Sequence, residues 1–402
     1  MLALAAFFLL FPALGCDESL KSAAAALQNH AAEEAKAILD AAAQSCSQSP
    51  DFFELLGIIN LQNHHVNEGI TALERSVALG STDPRVLFTL GSLFGERGDY
   101  QKAVEHLSRI PKTEADDAVY FNLGLGYSHL RRFDQARSAY FKAIDSKPGH
   151  TEAYFRIGLD YAALGEPRKA IPWLLRARNL GGNRPEIAYV LVEQLLRLKY
   201  TKTAEEVVGA ALETSPGDPL LTVASGDVLQ QKGDDTAAIA KYQDAISRRP
   251  HLPAALIGLA QAAISKGNDA EAQTYLQEAL SADPANPSAK GQLGIIEGRR
   301  GDWESAAAHL KSAWEADQSN SAIGLELARA LRHCGQFSQA LSVLKPLQPQ
   351  MNDSAPFHLE LAALYAQWHR TAEAQAERVI VANLQSQAHQ GLRFADSQTY
   401  VY

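Results

Sequence analysis

Cysteine and methionine are scarce in this chain: three Cys and two Met over 402 residues. The cysteines, Cys16, Cys46 and Cys334, include no Cys-x-x-Cys pair of the kind that binds zinc or cycles through a disulfide. There is no His-Glu-x-x-His segment and no glycine loop of the phosphate-cradling type. The histidines are scattered, and in His64-His65 the adjacent side chains point apart. His333-Cys334 places a base beside a thiol, but neighbours on a helix do not face each other. It reads as a surface histidine next to a packed cysteine. No alternating run rich in β-branched residues signals a sheet. Charge of one sign is not concentrated either: 37 Lys and Arg stand against 46 Asp and Glu, for a net −9. That argues against nucleic acid as the main partner, since phosphate binding needs a concentrated basic face. These absences remove the marks of metal, nucleotide and thiol chemistry. No catalytic residues, cofactor or metal are expected, and the chain does not read as an enzyme.

Long apolar runs are missing with one exception. Met1–Gly15 is apolar throughout and stops at Cys16-Asp17. It is shorter than the ~20 residues that span a membrane, and it suits the hydrophobic region of a secretory signal, with Ala13 and Gly15 as the small residues before a cleavage site. Ala13-Leu14-Gly15-Cys16 partly resembles a bacterial lipoprotein box, which makes Cys16 a candidate for lipidation and the N-terminus a candidate membrane anchor. The usual Leu three residues before the Cys and a basic residue near Met1 are both missing. The expectation is an exported, periplasmic or envelope-associated chain. The alternative is a cytoplasmic one whose first residues form a buried helix. If Cys16 is not lipidated, it could meet Cys46 at the open end of the first hairpin, in an oxidising compartment. The plainer alternative is two unrelated buried thiols.

What is abundant is repetition. Asp117–His150 reads as two amphipathic helices, Ala118–Leu130 and Phe133–Asp145. Tyr120, Leu123 and Tyr127 line one face of the first, with Gly124 inside the stripe, and Ala136, Tyr140 and Ala143 line the second. Pro148 ends the pair. One such hairpin cannot bury its own apolar faces, so copies must stack on either side. They are present. Gly124, Gly158, Val192, Gly226, Ala260, Gly294, Ala328 and Ala362 recur every 34 residues, with Gly91 and Gly57 upstream. Twelve positions after each is a small residue, and four further on is usually a large one, such as Leu73, Leu107, Tyr140, Leu174 or Tyr242. Glycine in turns such as Gly98-Asp99, Gly233-Asp234 and Gly301-Asp302 suits the left-handed conformation that ends a helix.

Here the chain resembles the tetratricopeptide repeat (TPR) family. Tyr120, Leu123, Gly124, Tyr127, Ala136, Tyr140, Ala143 and Pro148 match that family's pattern in full, and Tyr154, Ile157, Gly158, Tyr161, Ala170, Leu174 and Ala177 nearly so. The resemblance implies an all-α fold, an α-solenoid wound as a right-handed superhelix of about ten to eleven helix hairpins. The array is expected over 16–383, with units starting near 16, 50, 84, 117, 151, 185, 219, 253, 287, 321 and 355. A leader (1–15) precedes it and a C-terminal cap or tail (384–402), with Phe394, Tyr400 and Tyr402, follows. Ser108–Asp117 is a mild irregularity in register.

In this family the first helix of each unit lines a concave groove. The resemblance therefore implies that Phe88, Phe121, Phe155 and Tyr189, flanked by Leu125 and Leu159, form an aromatic ladder for a protein or peptide partner. The alternative is that these rings only pack between neighbouring helices. Glu193 and Asp227 give an acidic step. Arg299, Arg329, Arg332 and His333 give a basic one that would hold a carboxylate, or else simply complement helix C-termini. The family's clamp for acidic C-terminal peptides needs Lys where this chain has Phe88, Phe121 and Phe155, so a chaperone-tail adaptor is not expected. The leading expectation is a non-enzymatic scaffold. A structural part of an envelope assembly for polysaccharide or protein export is the alternative, and an accessory subunit of an enzyme comes third. Nothing in the residues assigns an oligomeric state.

Overall fold

A computed structural model describes residues 15–398 except 319, with side chains up to 386. The expected leader, but for Gly15, and Tyr400 and Tyr402 of the expected tail lie outside the described residues, as does the side chain of Phe394. The fold is an all-α solenoid of helix hairpins, and the described residues contain no strand. First helices begin at Cys16, Pro50, Pro84, Asp117, Thr151, Pro185, Pro219, Pro253, Pro287, Ser321 and Ala355. Each is followed after a short turn by a second helix. The helices expected at Ala118–Leu130 and Phe133–Asp145 run over Asp117–His129 and Phe133–Ser146. The last helix continues from Thr371 to Gln398.

Helix starts follow from local chemistry. Pro50, Pro84, Pro185, Pro219, Pro253 and Pro287 each occupy the first turn of a first helix. There the missing N–H would have had no helical partner, and the ring presets φ. Several are preceded by a capping side chain: Asp218 Oδ1 accepts from the backbone N–H of Leu220 at 2.9 Å, and Asn286 Oδ1 from Ala289 at 3.0 Å. Second helices use the same device after the hairpin turn, as Asp99 and Asp234 show. The turn itself needs a left-handed residue at one register position. Glycine fills it at Gly98, Gly165, Gly233, Gly267, Gly301 and Gly335. His30, His64, Arg131, Lys199 and His369 adopt the same conformation with a side chain attached.

The packing gathers into two compact units, one ending at Ile157 and the other beginning at Gly158. In the first unit the core has two main clusters. One is built on Leu20, Ala35, Leu39, Phe52 and Ile59, and the other on Leu73, Leu87, Leu90, Leu107 and Val119. Cys16 and Cys46 are joined by a disulfide that closes the first hairpin. The small-versus-large pattern has a direct steric meaning: a Cβ on Gly57 would fall 2.5 Å from Leu73 Cδ2. The second unit repeats the arrangement, with Gly158 against Leu174, Gly226 against Tyr242 and Gly294 against Leu310. Its C-terminal core centres on Trp314, Leu327, Leu331, Leu344 and Phe357.

Candidate functional site

In the second unit the first helices of successive hairpins present side chains to a common groove of about 990 Å³. Helical spacing aligns the lining. Tyr189 and Glu193 are four apart on Pro185–Arg197, Asp227 and Gln231 four apart on Pro219–Gln231, and Ile257 and Gln261 four apart on Pro253–Ser265. Arg197, Asp235 and Arg249 add charge to the lining.

The groove's chemistry centres on Asp227. Tyr242, on the second helix of the same hairpin, is fully buried. Its ring threads between two glycines: Cβ atoms built on Gly226 and Gly258 would each lie 2.6 Å from it. That gap lets a side chain from the outer helix reach the groove, where its hydroxyl donates to Asp227 Oδ1 at 2.7 Å. Gln230 Oε1 lies 3.2 Å from the same hydroxyl. Burial raises the Asp227 carboxyl to about 7. The Tyr242 hydrogen bond opposes the rise, and the like charge of Glu193 adds to it. Among the described residues Asp227 forms no ion pair, whereas Glu193 pairs with Arg197 at 3.3 Å. Tyr189 packs its ring against the Val223, Leu252 and Leu259 cluster. Burial, with Asp227 and Glu193 nearby, pushes its phenol well above the ordinary range.

The residues singled out from sequence are dispersed. In the first unit, Phe88 is half-buried against the Leu87–Leu90 cluster. The Phe121 ring packs 4.8 Å from that of His150 and 5.8 Å from that of Tyr140. Leu125 lines a smaller crevice of about 320 Å³ with Asn122 and His129. Phe155 is only 7% exposed and belongs to the core, which corrects its expected place in an open ladder. In the second unit Leu159 is half-buried, and Tyr189 is the one member of the expected ladder that lines the large groove.

The basic step is committed within the chain. Arg332 is buried and bidentate on Glu360, at 2.6 and 3.3 Å. Arg329 contacts Glu326 at 2.9 Å and Glu360 at 3.5 Å. The expectation that these arginines await a partner's carboxylate is corrected accordingly: acids of their own chain already satisfy them. The His333 ring stacks on Trp303 at 3.8 Å, and burial pushes the Cys334 thiol up, away from the reactive thiolate. Among the described residues no group of three or more His, Cys, Asp and Glu could hold a metal ion. Sequence reasoning noted Asp227 as acidic and Tyr242 as core, but missed that they meet. The available signal was an Asp directly after a glycine whose partner sixteen residues on is Tyr rather than Leu.

Comparison with known proteins gives two family models, both described as tetratricopeptide repeat. One matches residues 229–293 and 299–367, the other 121–186. Over 147 residues the chain is 26% identical to BBSome complex member BBS4 of Bos taurus, covering 36% of this chain and 28% of the relative. Over 107 residues it is 29% identical to the peroxisomal targeting signal receptor of Candida albicans, covering 26% of this chain and 18% of the relative. Over 218 residues it is 25% identical to protein O-mannosyl-transferase TMTC2 of Homo sapiens, covering 53% and 24%. The matches thus span less than a third of these relatives. A solved tetratricopeptide repeat protein from Parabacteroides merdae superposes with a TM-score of 0.52 at 18% identity, covering 62% of this chain and all of that one, a likeness of fold alone.

Proposed function

Because the chain belongs to the tetratricopeptide repeat family, we propose that it is a non-enzymatic scaffold that holds an extended segment of a partner protein in the groove of its second unit. The observation that carries this reading is the groove of about 990 Å³ built from the first helices of successive hairpins, with Tyr189 and Ile257 as apolar lining. A relative named as a peroxisomal targeting signal receptor supports a binding role. The test is binding of the purified chain to a pool of synthetic peptides. Ile257→Arg, which puts a long charged side chain into the groove, is expected to abolish capture while the helical circular-dichroism signal is kept, with a modest fall in melting temperature because Ile257 also packs on the Leu256 and Leu293 cluster. Capture that survives Ile257→Arg overturns the reading. Phe121→Ala with Phe155→Ala is expected to lower the melting temperature and leave capture intact, since Phe155 is a core residue.

We further propose that the chain is exported and works in an oxidising compartment. The Cys16–Cys46 disulfide supports this, as does the apolar Met1–Gly15 leader. Lipidation of Cys16 would need the sulfur that the disulfide uses, so the two are alternative fates of one residue. Among the described residues no helix is long and apolar enough to cross a membrane. Mass measurement of the native chain under non-reducing conditions decides between them. Export with the disulfide gives a chain lacking the leader and no alkylation of Cys16 or Cys46 before reduction. A full-length chain with free thiols overturns it.

A further inference from the structure

We propose that the Asp227 position of the groove takes a basic side chain, lysine or arginine, of the bound protein segment. This deepens the reading of that groove as a partner site and rests on it. Three observations point the same way. First, among the described residues Asp227 is held by a hydrogen bond but paired with no cation: Tyr242 occupies one oxygen at 2.7 Å, while Arg197 is taken by Glu193. Arg249, the other basic residue of the lining, is exposed. Second, Tyr189 presents a phenol that makes no hydrogen bond among the described residues, although protein surrounds most of it and it lines the same groove. An aromatic ring beside a carboxylate is the pairing that recognises an organic cation, through the ring face and through charge. Third, the overall balance of −9 favours an approaching basic segment.

The free groove is not at ease with this carboxylate. Burial and Glu193 hold it near 7, against the relief that Tyr242 supplies. The groups facing it are Tyr189, Glu193 and Arg197 from one helix, Tyr242 and Asp235 from another, and Arg249 beyond the end of that second helix. The Pro253–Ser265 helix contributes Ile257, Gly258 and Gln261 and no charge. An ammonium or guanidinium placed against Asp227 favours its ionised form, so the bound state has the lower pKa and binding releases a proton. Affinity therefore rises with pH up to about 7 and levels off above it, by at most about tenfold per pH unit for one proton.

The experiment uses the full chain on an array of synthetic peptides, degenerate except for one central residue fixed as Lys, Arg, Gln, Leu or Glu. The wild type is expected to favour Lys- and Arg-centred peptides over Gln and Leu by about tenfold or more, and Glu-centred ones least. That preference is expected to strengthen between about pH 5.5 and 7. Asp227→Asn keeps an acceptor for Tyr242 while removing the charge. It is expected to bind the array without the basic preference and without the pH dependence. Equal binding of Lys and Leu peptides by the wild type, or a preference that survives in Asp227→Asn, overturns the proposal. If all peptides bind alike and Ile257→Arg still abolishes capture, the groove reading stands and only the basic-side-chain assignment falls. If no peptide binds, both fall. The wild-type pH profile stands independently of any variant's folding.

Discussion

A Cβ on Gly226 would lie 2.6 Å from Cε1 of Tyr242, closer than two carbons can pack. The glycine is therefore the slot through which an outer-helix tyrosine reaches Asp227. Gly226→Ala must push the ring aside, and the other wall of the slot, Gly258, allows no retreat because its own Cβ position is 2.6 Å from Cζ. Overpacking of this kind costs about 1–3 kcal/mol. Urea unfolding is expected to show a loss of that order for Gly226→Ala. Tyr242→Leu in the same background, which installs the side chain found at Leu174 and Leu276, is expected to recover part of it. No loss in the alanine variant would mean that the slot is loose.

This slot also shows how far the sequence could be read. The 34-residue period is the footprint of a steric rule, glycine against a large side chain sixteen positions on, so it carries the hairpins, their order and their packing. Depth is not periodic. Phe88, Phe121 and Phe155 share a register, yet Phe155 is core and the others are half-buried. The Tyr242–Asp227 hydrogen bond lay hidden for a related reason: a repeat pattern marks Tyr as bulk and says nothing of where its hydroxyl ends. Prolines are legible as boundaries, and Pro50, Pro84 and Pro219 are the first residues of first helices. Arg332 read as a groove residue because its acidic partner, Glu360, lies in another unit of the repeat.

Lys199 holds φ of 60° at the hairpin turn, where Gly233 and Gly267 hold 83° and 75°. A side chain there costs about 1–2 kcal/mol relative to glycine in local conformational energy, partly offset by the greater unfolded-state freedom that glycine brings. Lys199→Gly is expected to stabilise the second unit by about 0.5–1 kcal/mol, and Gly233→Ala to destabilise it by a similar amount. Thermal unfolding of the two variants beside the wild type checks both signs. A neutral or negative effect of Lys199→Gly would point to a stabilising role for the lysine side chain itself.

Reduction of the Cys16–Cys46 disulfide acts on a loop with a sequence separation of 30. Loop-closure entropy puts the loss at roughly 3–4 kcal/mol, most of it local, since each hairpin of a solenoid touches mainly its neighbours. Hydrogen exchange with and without reductant is expected to show faster exchange over Cys16–Gln28 and Ala32–Ala42 and unchanged protection in the second unit. The pair Cys16→Ser and Cys46→Ser is expected to reproduce the pattern. Exchange that accelerates uniformly along the chain would show that the first hairpin is not an independent opening unit.

Arg332 and Glu360 form a buried ion pair, with Arg332 8% and Glu360 5% exposed. Taking both charges out of water is costly, and their mutual attraction with two hydrogen bonds roughly offsets it. The consequence is an asymmetry between single and double replacements. Glu360→Gln keeps the shape but leaves Arg332 buried with only Arg329, a like charge, and neutral acceptors nearby. Arg329 itself loses the 3.5 Å contact to Glu360 and keeps Glu326. The expected loss is about 3–5 kcal/mol. Arg332→Met combined with Glu360→Met removes both charges and fills the volume with flexible apolar chains, and is expected to fall within about 1–2 kcal/mol of the wild type. A double-mutant cycle by denaturant unfolding measures the coupling. If the single and double variants lose the same amount, the pair contributes through packing alone. If the double variant is the worse one, Arg332 and Glu360 are supporting neighbours beyond each other.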